Sequence, residues 1–190
     1  MDQNALYVIG LFDDETNLAL KKIDQMLLSA GIKTNEIPFH ITFGGYVDIP
    51  VKDLVEWVGQ FSENHSPLEV KFNHIGLFME GYCFIAPKVN QELLDFHFDL
   101  HQNYDNCLAE VGYNFTLCSD NWVPHMTLIN GPTAEILKTI ALLLDQFKPF
   151  VGRITEMAVY DVTLLNECAR FPLQAGQNSK IQSDPSQPGR

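Results

Sequence analysis

The chain predicts an α+β fold of two related lobes, with antiparallel sheets lining a central cleft and helices outside. Two observations predict it. The order strand–helix–strand–helix–strand occurs twice along 190 residues, and a His-x-Thr triplet falls at the equivalent place in each copy, His40-Ile41-Thr42 and His125-Met126-Thr127. The composition, 46% hydrophobic and 19% charged, is that of an ordinary globular protein with enough apolar residues for one well-buried core.

The first copy spans about 5–79. It opens with the apolar run Tyr7-Val8-Ile9-Gly10-Leu11-Phe12, which suits a buried strand. A helix is expected over 15–30, with Leu18, Leu20, Ile23, Met26, Leu27 and Ala30 as its apolar stripe and Gly31 as its stop. A short strand at 40–43, a helix over 51–63 and a strand over 68–78 complete the unit. The second copy, about 80–165, repeats the order: strand 82–86, a longer helix 91–111, strand 124–129, helix 134–147 and strands through 154–162 and onward. His40 and His125 are 85 residues apart, whereas Tyr7 and Tyr82 are 75 apart, so the second copy carries ten extra residues, some of them at 114–121. Together 1–172 make a single bilobal domain. The Gln-, Ser-, Pro- and Gly-rich 173–190 cannot bury enough apolar surface to offset ordering entropy, and a disordered tail is expected there.

The formal net charge is −12, which repels nucleic-acid backbone, and no run of lysines or arginines supplies a local patch. Long nucleic acid is therefore an improbable partner. Cys83, Cys107, Cys118 and Cys168 form no C-x-x-C pair, which argues against a zinc ribbon or a secreted disulfide scaffold. The apolar stretch 5–12 is too short for a signal peptide or a membrane span. A cytoplasmic protein without a membrane association is expected, and a monomer.

In a strand, residues two apart share a face, so each His-x-Thr is a polar pair held by apolar neighbours that point the other way: Ile41 and Phe43, Met126 and Leu128. A rigid mount of that kind suits a precise catalytic site. Free imidazole titrates near ~6.5, so close to neutrality one ring can be a base while its partner is an acid.

The doubled motif resembles the 2H phosphoesterase superfamily, the 2′-5′ RNA ligase and cyclic phosphodiesterase group, also described as LigT-like. Pro124-His125-Met126-Thr127-Leu128 is close to that family's second motif, and His40-Ile41-Thr42-Phe43 followed by Gly44-Gly45-Tyr46-Val47 is similar to its first. The resemblance spans about 7–162. It implies a bilobal fold with one motif from each lobe, a 2′,3′-cyclic or related small phosphodiester as substrate (a nucleotide or an RNA end), and no metal or cofactor. His40 and His125 then act as acid and base, and Thr42 and Thr127 bind the phosphate. Tyr7, Tyr82, Phe84 and Trp122, on or near the cleft strands, are candidates to stack on a base. The chain departs from the family where many members have H-x-T-L-R: Gly44 stands at the arginine's place, and Ile129 and Asn130 follow the second motif without a cation. Lys52, Lys138 and Arg153 could compensate from elsewhere. That departure keeps two alternatives in view, a non-catalytic nucleotide- or RNA-end-binding module and a 2′-5′ RNA ligase-like activity.

Other patterns are weaker. His97, His101 and Asp105 fall at i, i+4, i+8 of the expected long helix, a possible metal set, but Leu93, Leu100, Tyr104 and Leu108 share that face, and a packed helix face is the better reading. His74 shares a strand face with Val70 and Phe72 and is expected to be buried. His65 sits in a polar loop. Gly44-Gly45 and Gly131-Pro132 read as turns, because no Gly-Lys-[Ser/Thr] follows to make a phosphate loop.

Overall fold

The computed structural model describes residues 5–35, 37–107, 115–116 and 122–174. Its strands are β1 (Leu6–Phe12), β2 (His40–Tyr46), β3 (Leu68–Phe78), β4 (Tyr82–Pro87), β5 (Met126–Asn130), β6 (Phe150–Asp161) and β7 (Asn166–Pro172). The helices are α1 (Asp14–Ser29), α2 (Val51–Asn64), α3 (Gln91–Leu100) and α4 (Thr133–Gln146). The expected tail lies outside the described residues except at its start. There Leu173 is buried and its N–H reaches Thr155 O, so the ordered chain continues past the expected boundary.

All pairings are antiparallel, in the order β2-β1-β6-β3-β4-β5, with β7 on the second half of β6. Under the correspondence β1 to β4, β2 to β5 and β3 to β6, this order reads the same from either end. The two outermost strands, β2 and β5, also touch each other, so the sheet curls until its ends meet. That curl produces the cleft.

The helices cover the outer face. In α2, Leu54, Val58 and Phe61 repeat at helical spacing and are fully or almost fully buried; they join Phe43, Phe72, Leu68 and Ile154 in the main core. Burying each such side chain contributes about 1.5–3 kcal/mol. A smaller cluster, Ile9, Leu11, Ala158 and Tyr160, lies on the opposite face of β1 and β6. Among the described residues no helix is long and apolar enough to cross a membrane.

Helix α1 starts at Asp13, whose carboxylate accepts from Thr16 N at 2.8 Å, a cap worth about 1 kcal/mol. It stops at Gly31, whose φ of 74° is left-handed. Gly31 N–H returns to Leu28 O and Ile32 N–H to Leu27 O, closing the last turn. The chain is thereby turned toward the cleft as 33–35.

Two expectations fail here. The long helix ends at Leu100 rather than continuing to 111: Tyr104 has a left-handed φ of 64° and a 3-10 turn, Asp105–Cys107, follows. His74 is exposed, not buried. A bulge between Phe72 and His74 shifts the β3–β4 register by one residue and turns His74 off the core face held by Val70 and Phe72.

Candidate active site

His40 opens β2 and His125 immediately precedes β5, and the curl of the sheet brings both to one cleft of about 1150 Å³ that Thr42 and Thr127 also line. The rings are anchored identically. Nδ1 of His40 lies 2.7 Å from Pro38 O, and Nδ1 of His125 lies 2.6 Å from Val123 O. A carbonyl oxygen only accepts, so Nδ1 carries the hydrogen in both rings. In the neutral form Nε2 is then the nitrogen with a lone pair.

Burial holds both imidazoles below the ordinary histidine value of ~6.5. For His40 the bond to Pro38 O opposes that effect and the charge of His125 adds to it. The two rings are therefore within electrostatic reach of each other. For His125 the bond to Val123 O opposes burial.

The strand after each motif contains the same irregularity. Thr42 pairs with Ile9 but Gly44 pairs with Val8, so Phe43 is the extra residue; Thr127 pairs with Phe84 but Ile129 pairs with Cys83, so Leu128 is the extra residue. Each bulge turns the chain by one residue. Gly44 therefore shares the core face with Val8 and Tyr46, and a Cβ there would lie 2.8 Å from the Tyr46 hydroxyl. A side chain at 44 would therefore start on the core face, against the Tyr46 ring. In β5 the same step buries Ile129 and leaves Asn130 lining the cleft.

Three of the four proposed stacking residues, Tyr7, Tyr82 and Trp122, line the cleft. Tyr7 meets Phe115 edge-on at 5.7 Å. Trp122 donates its indole N–H to Thr42 O at 3.3 Å and stacks on His97 at 3.7 Å, so one of its faces is already occupied. Phe84 is a correction: it is 4% exposed, beneath Phe78 and His125 with ring centroids at 4.6 and 5.0 Å. It is a floor for His125 and offers no open face. Phe84 can lie there because Gly76 has no side chain, since a Cβ would fall 2.2 Å from its ring.

Lys52, Lys138 and Arg153 do not line the cleft; Lys138 Nζ donates to Ala30 O instead. Lys33, which sequence reasoning missed, does line it. Among the described residues it is the one lysine or arginine to do so. It lies in the loop after Gly31, where nothing in the local pattern marks a binding residue. Phe78, Glu80, Phe115, Asn130 and Glu135 were missed for the same reason.

The i, i+4, i+8 residues are neighbours, with the His97 and His101 ring centroids 4.4 Å apart, but they form hydrogen bonds within the chain rather than a ligand set. His97 is fully buried and bonds Phe115 O through Nε2 at 2.5 Å. His101 bridges Asp105 Oδ1 at 2.7 Å and Phe43 O at 2.8 Å. Among the described residues no group of three or more His, Cys, Asp or Glu could hold a metal ion.

The family model of the 2′-5′ RNA ligase superfamily matches residues 30–163, a span containing both motifs. The fold is similar to that of TT0787 of Thermus thermophilus, with 14% identity, a TM-score of 0.60, and 91% of this chain and 99% of that one covered. It is also similar to E. coli LigT complexed with 3′-AMP, with 10% identity, a TM-score of 0.59, and coverage of 91% and 99%. Apo LigT gives 11% identity and a TM-score of 0.56 over 92% and 99%. A comparison with curated proteins finds no match. By motif, by fold and by the span matched, the chain belongs to the 2′-5′ RNA ligase superfamily, the 2H phosphoesterases.

Proposed function

We propose that the cleft hydrolyses a small 2′,3′-cyclic or related phosphodiester of a nucleotide or RNA end, without a metal ion. The observation that carries this reading is the matched anchoring of His40 and His125, each with Nδ1 tied to a carbonyl and Nε2 left for the contents of one cleft. A neutral Nε2 removes a proton from water, whose oxygen attacks phosphorus. The bond from phosphorus to one ribose oxygen breaks, and the protonated Nε2 of the other ring delivers a proton to that oxygen. Acid and base on opposite sides of phosphorus suit in-line displacement, and each contributes ~10²–10⁴-fold. Hydroxyl donors on Thr42 and Thr127 stabilise the non-bridging oxygens, and Lys33 supplies a positive charge. Structures of E. coli LigT with 3′-AMP, NADP+ and ATP support a nucleotide as the ligand.

The test is turnover of 2′,3′-cyclic nucleotides and ADP-ribose cyclic phosphate in EDTA. His40→Ala and His125→Ala should each lose at least ~10²-fold in kcat/KM. Activity surviving both substitutions removes the mechanism. The sparse positive charge of the cleft favours, as a second reading, a module that binds nucleotides without converting them. Calorimetry showing tight nucleotide binding by a protein that forms no product would establish that instead.

A further inference from the structure

The charges lining the cleft are unequal. Lys33 enters on the α1–β2 loop, which is held to the motif strand where Asn35 N–H donates to Leu128 O at 3.3 Å, one residue beyond Thr127. Past Asn130, the cleft is lined by two carboxylates, Glu80 from the β3–β4 turn and Glu135 from the first turn of α4. They are brought to the same corner by Gly131 N–H, which donates to Gly81 O at 3.0 Å, and by the pairing of Tyr82 with Asn130. Glu135 folds back over Gly131, its Oε2 lying 3.2 Å from where a Cβ there would sit. Asn130 is three residues past Thr127 with one of them bulged, so this corner begins ~7–10 Å along the strand from the phosphate-binding threonine. That is about the distance from the cyclic phosphate of a nucleotide to the far end of its nucleoside.

Two carboxylates that form no ion pair among the described residues are a poor lining for a cleft that must hold a polyanion. They repel any second phosphate placed near them, and their oxygens accept hydrogen bonds from hydroxyl or amino groups. We infer that Glu80 and Glu135 restrict the substrate to a phosphodiester bearing a single phosphate, whose remainder is an uncharged nucleoside presenting hydrogen-bond donors. This inference rests on the proposed function and narrows it. A nucleoside 2′,3′-cyclic monophosphate with a free 5′-hydroxyl fits, whereas an RNA 3′ end, which carries a further phosphate on the 5′ side, is turned away.

The experiment compares adenosine 2′,3′-cyclic phosphate with the same compound bearing a 5′-phosphate, using wild type and the E80Q/E135Q double variant. Wild type should favour the unphosphorylated compound at least ~10-fold in kcat/KM. In the double variant, KM for the 5′-phosphorylated compound should fall while KM for the other holds or rises, bringing the preference under ~3-fold. A merely damaged cleft would raise both. Equal handling of the two compounds by wild type, or an unchanged preference in the double variant, overturns the inference and leaves the phosphodiesterase reading standing. If neither compound is turned over, that reading is what fails, and calorimetry with 3′-AMP against adenosine 3′,5′-bisphosphate measures the same preference. Equal affinities, or no binding by either, overturn the inference there.

Discussion

At the scale of single residues, the Nδ1 anchors decide which nitrogen does chemistry, and burial decides at what pH. Catalysis needs one imidazole neutral and the other protonated. Burial lowers both from ~6.5, and the charge of His125 adds to the lowering of His40. Above both values the acid is lost, and below both the base is lost. The free protein is therefore expected to show a bell-shaped kcat/KM centred on the acid side of ~6.5. A bound phosphodiester is negative and favours the imidazolium, so the kcat profile should lie at higher pH than that of kcat/KM. Profiles of both parameters between pH 4 and 9 check this, and a kcat/KM that stays level up to pH 8 sinks it. The residue types of the site were legible in the sequence, because His-x-Thr twice is a pattern that strand alternation turns into geometry. Phe84 was not: its place on a cleft strand made it a stacking candidate, but Phe78 and His125 cover it.

Among the elements, α3 carries a cost that its sequence conceals. His97 lies on the face expected to pack, yet it is fully buried with Nε2 bonded to Phe115 O and Nδ1 without a hydrogen-bond partner among the described residues. Burial, with the neighbouring His101 adding to it, pushes His97 down to about 3. The sign follows from linkage. Below ~6.5 the unfolded chain binds a proton that the folded chain refuses until about 3, so stability intact at neutral pH is lost as pH falls. At pH 5 that loss is about 2 kcal/mol, from 1.5 pH units at ~1.4 kcal/mol each. His97→Phe keeps a flat ring against Trp122 and does not titrate. Its unfolding free energy in urea, relative to wild type, should improve by about 2 kcal/mol between pH 7 and pH 5, and an unchanged difference would show that His97 is not the group responsible. Most boundaries of the other elements were legible from apolar period and turn residues, as with α1 and Gly31. Bulges were not. A bulge leaves no mark in periodicity, and the one in β3 turned His74 outward while those after the motifs set the faces of Gly44 and Asn130.

At the scale of the whole molecule, the decisive feature is long-range: β2 and β5 are the two ends of the strand order and nonetheless touch. Period and propensity act over a few residues and carry no information about which distant strands meet, so the curl, and with it the places of Lys33, Glu80 and Glu135, could not be read in advance. Trp122 reports on this closure. It lies on the chain leading into β5, yet its indole N–H bonds the carbonyl of Thr42 in β2, and its ring lines the cleft. Trp57, the other tryptophan, bonds Leu100 O from α2 and is not part of the cleft lining. A phosphate held between Thr42 and Thr127 would alter the surroundings of the first indole and leave the second untouched. Adding 3′-AMP should therefore change the tryptophan emission of wild type and of Trp57→Phe, with the same midpoint in both, and should leave Trp122→Phe nearly silent. A full response in Trp122→Phe would mean that the nucleotide binds away from the junction of the two lobes, and the site would have to be sought elsewhere on the fold.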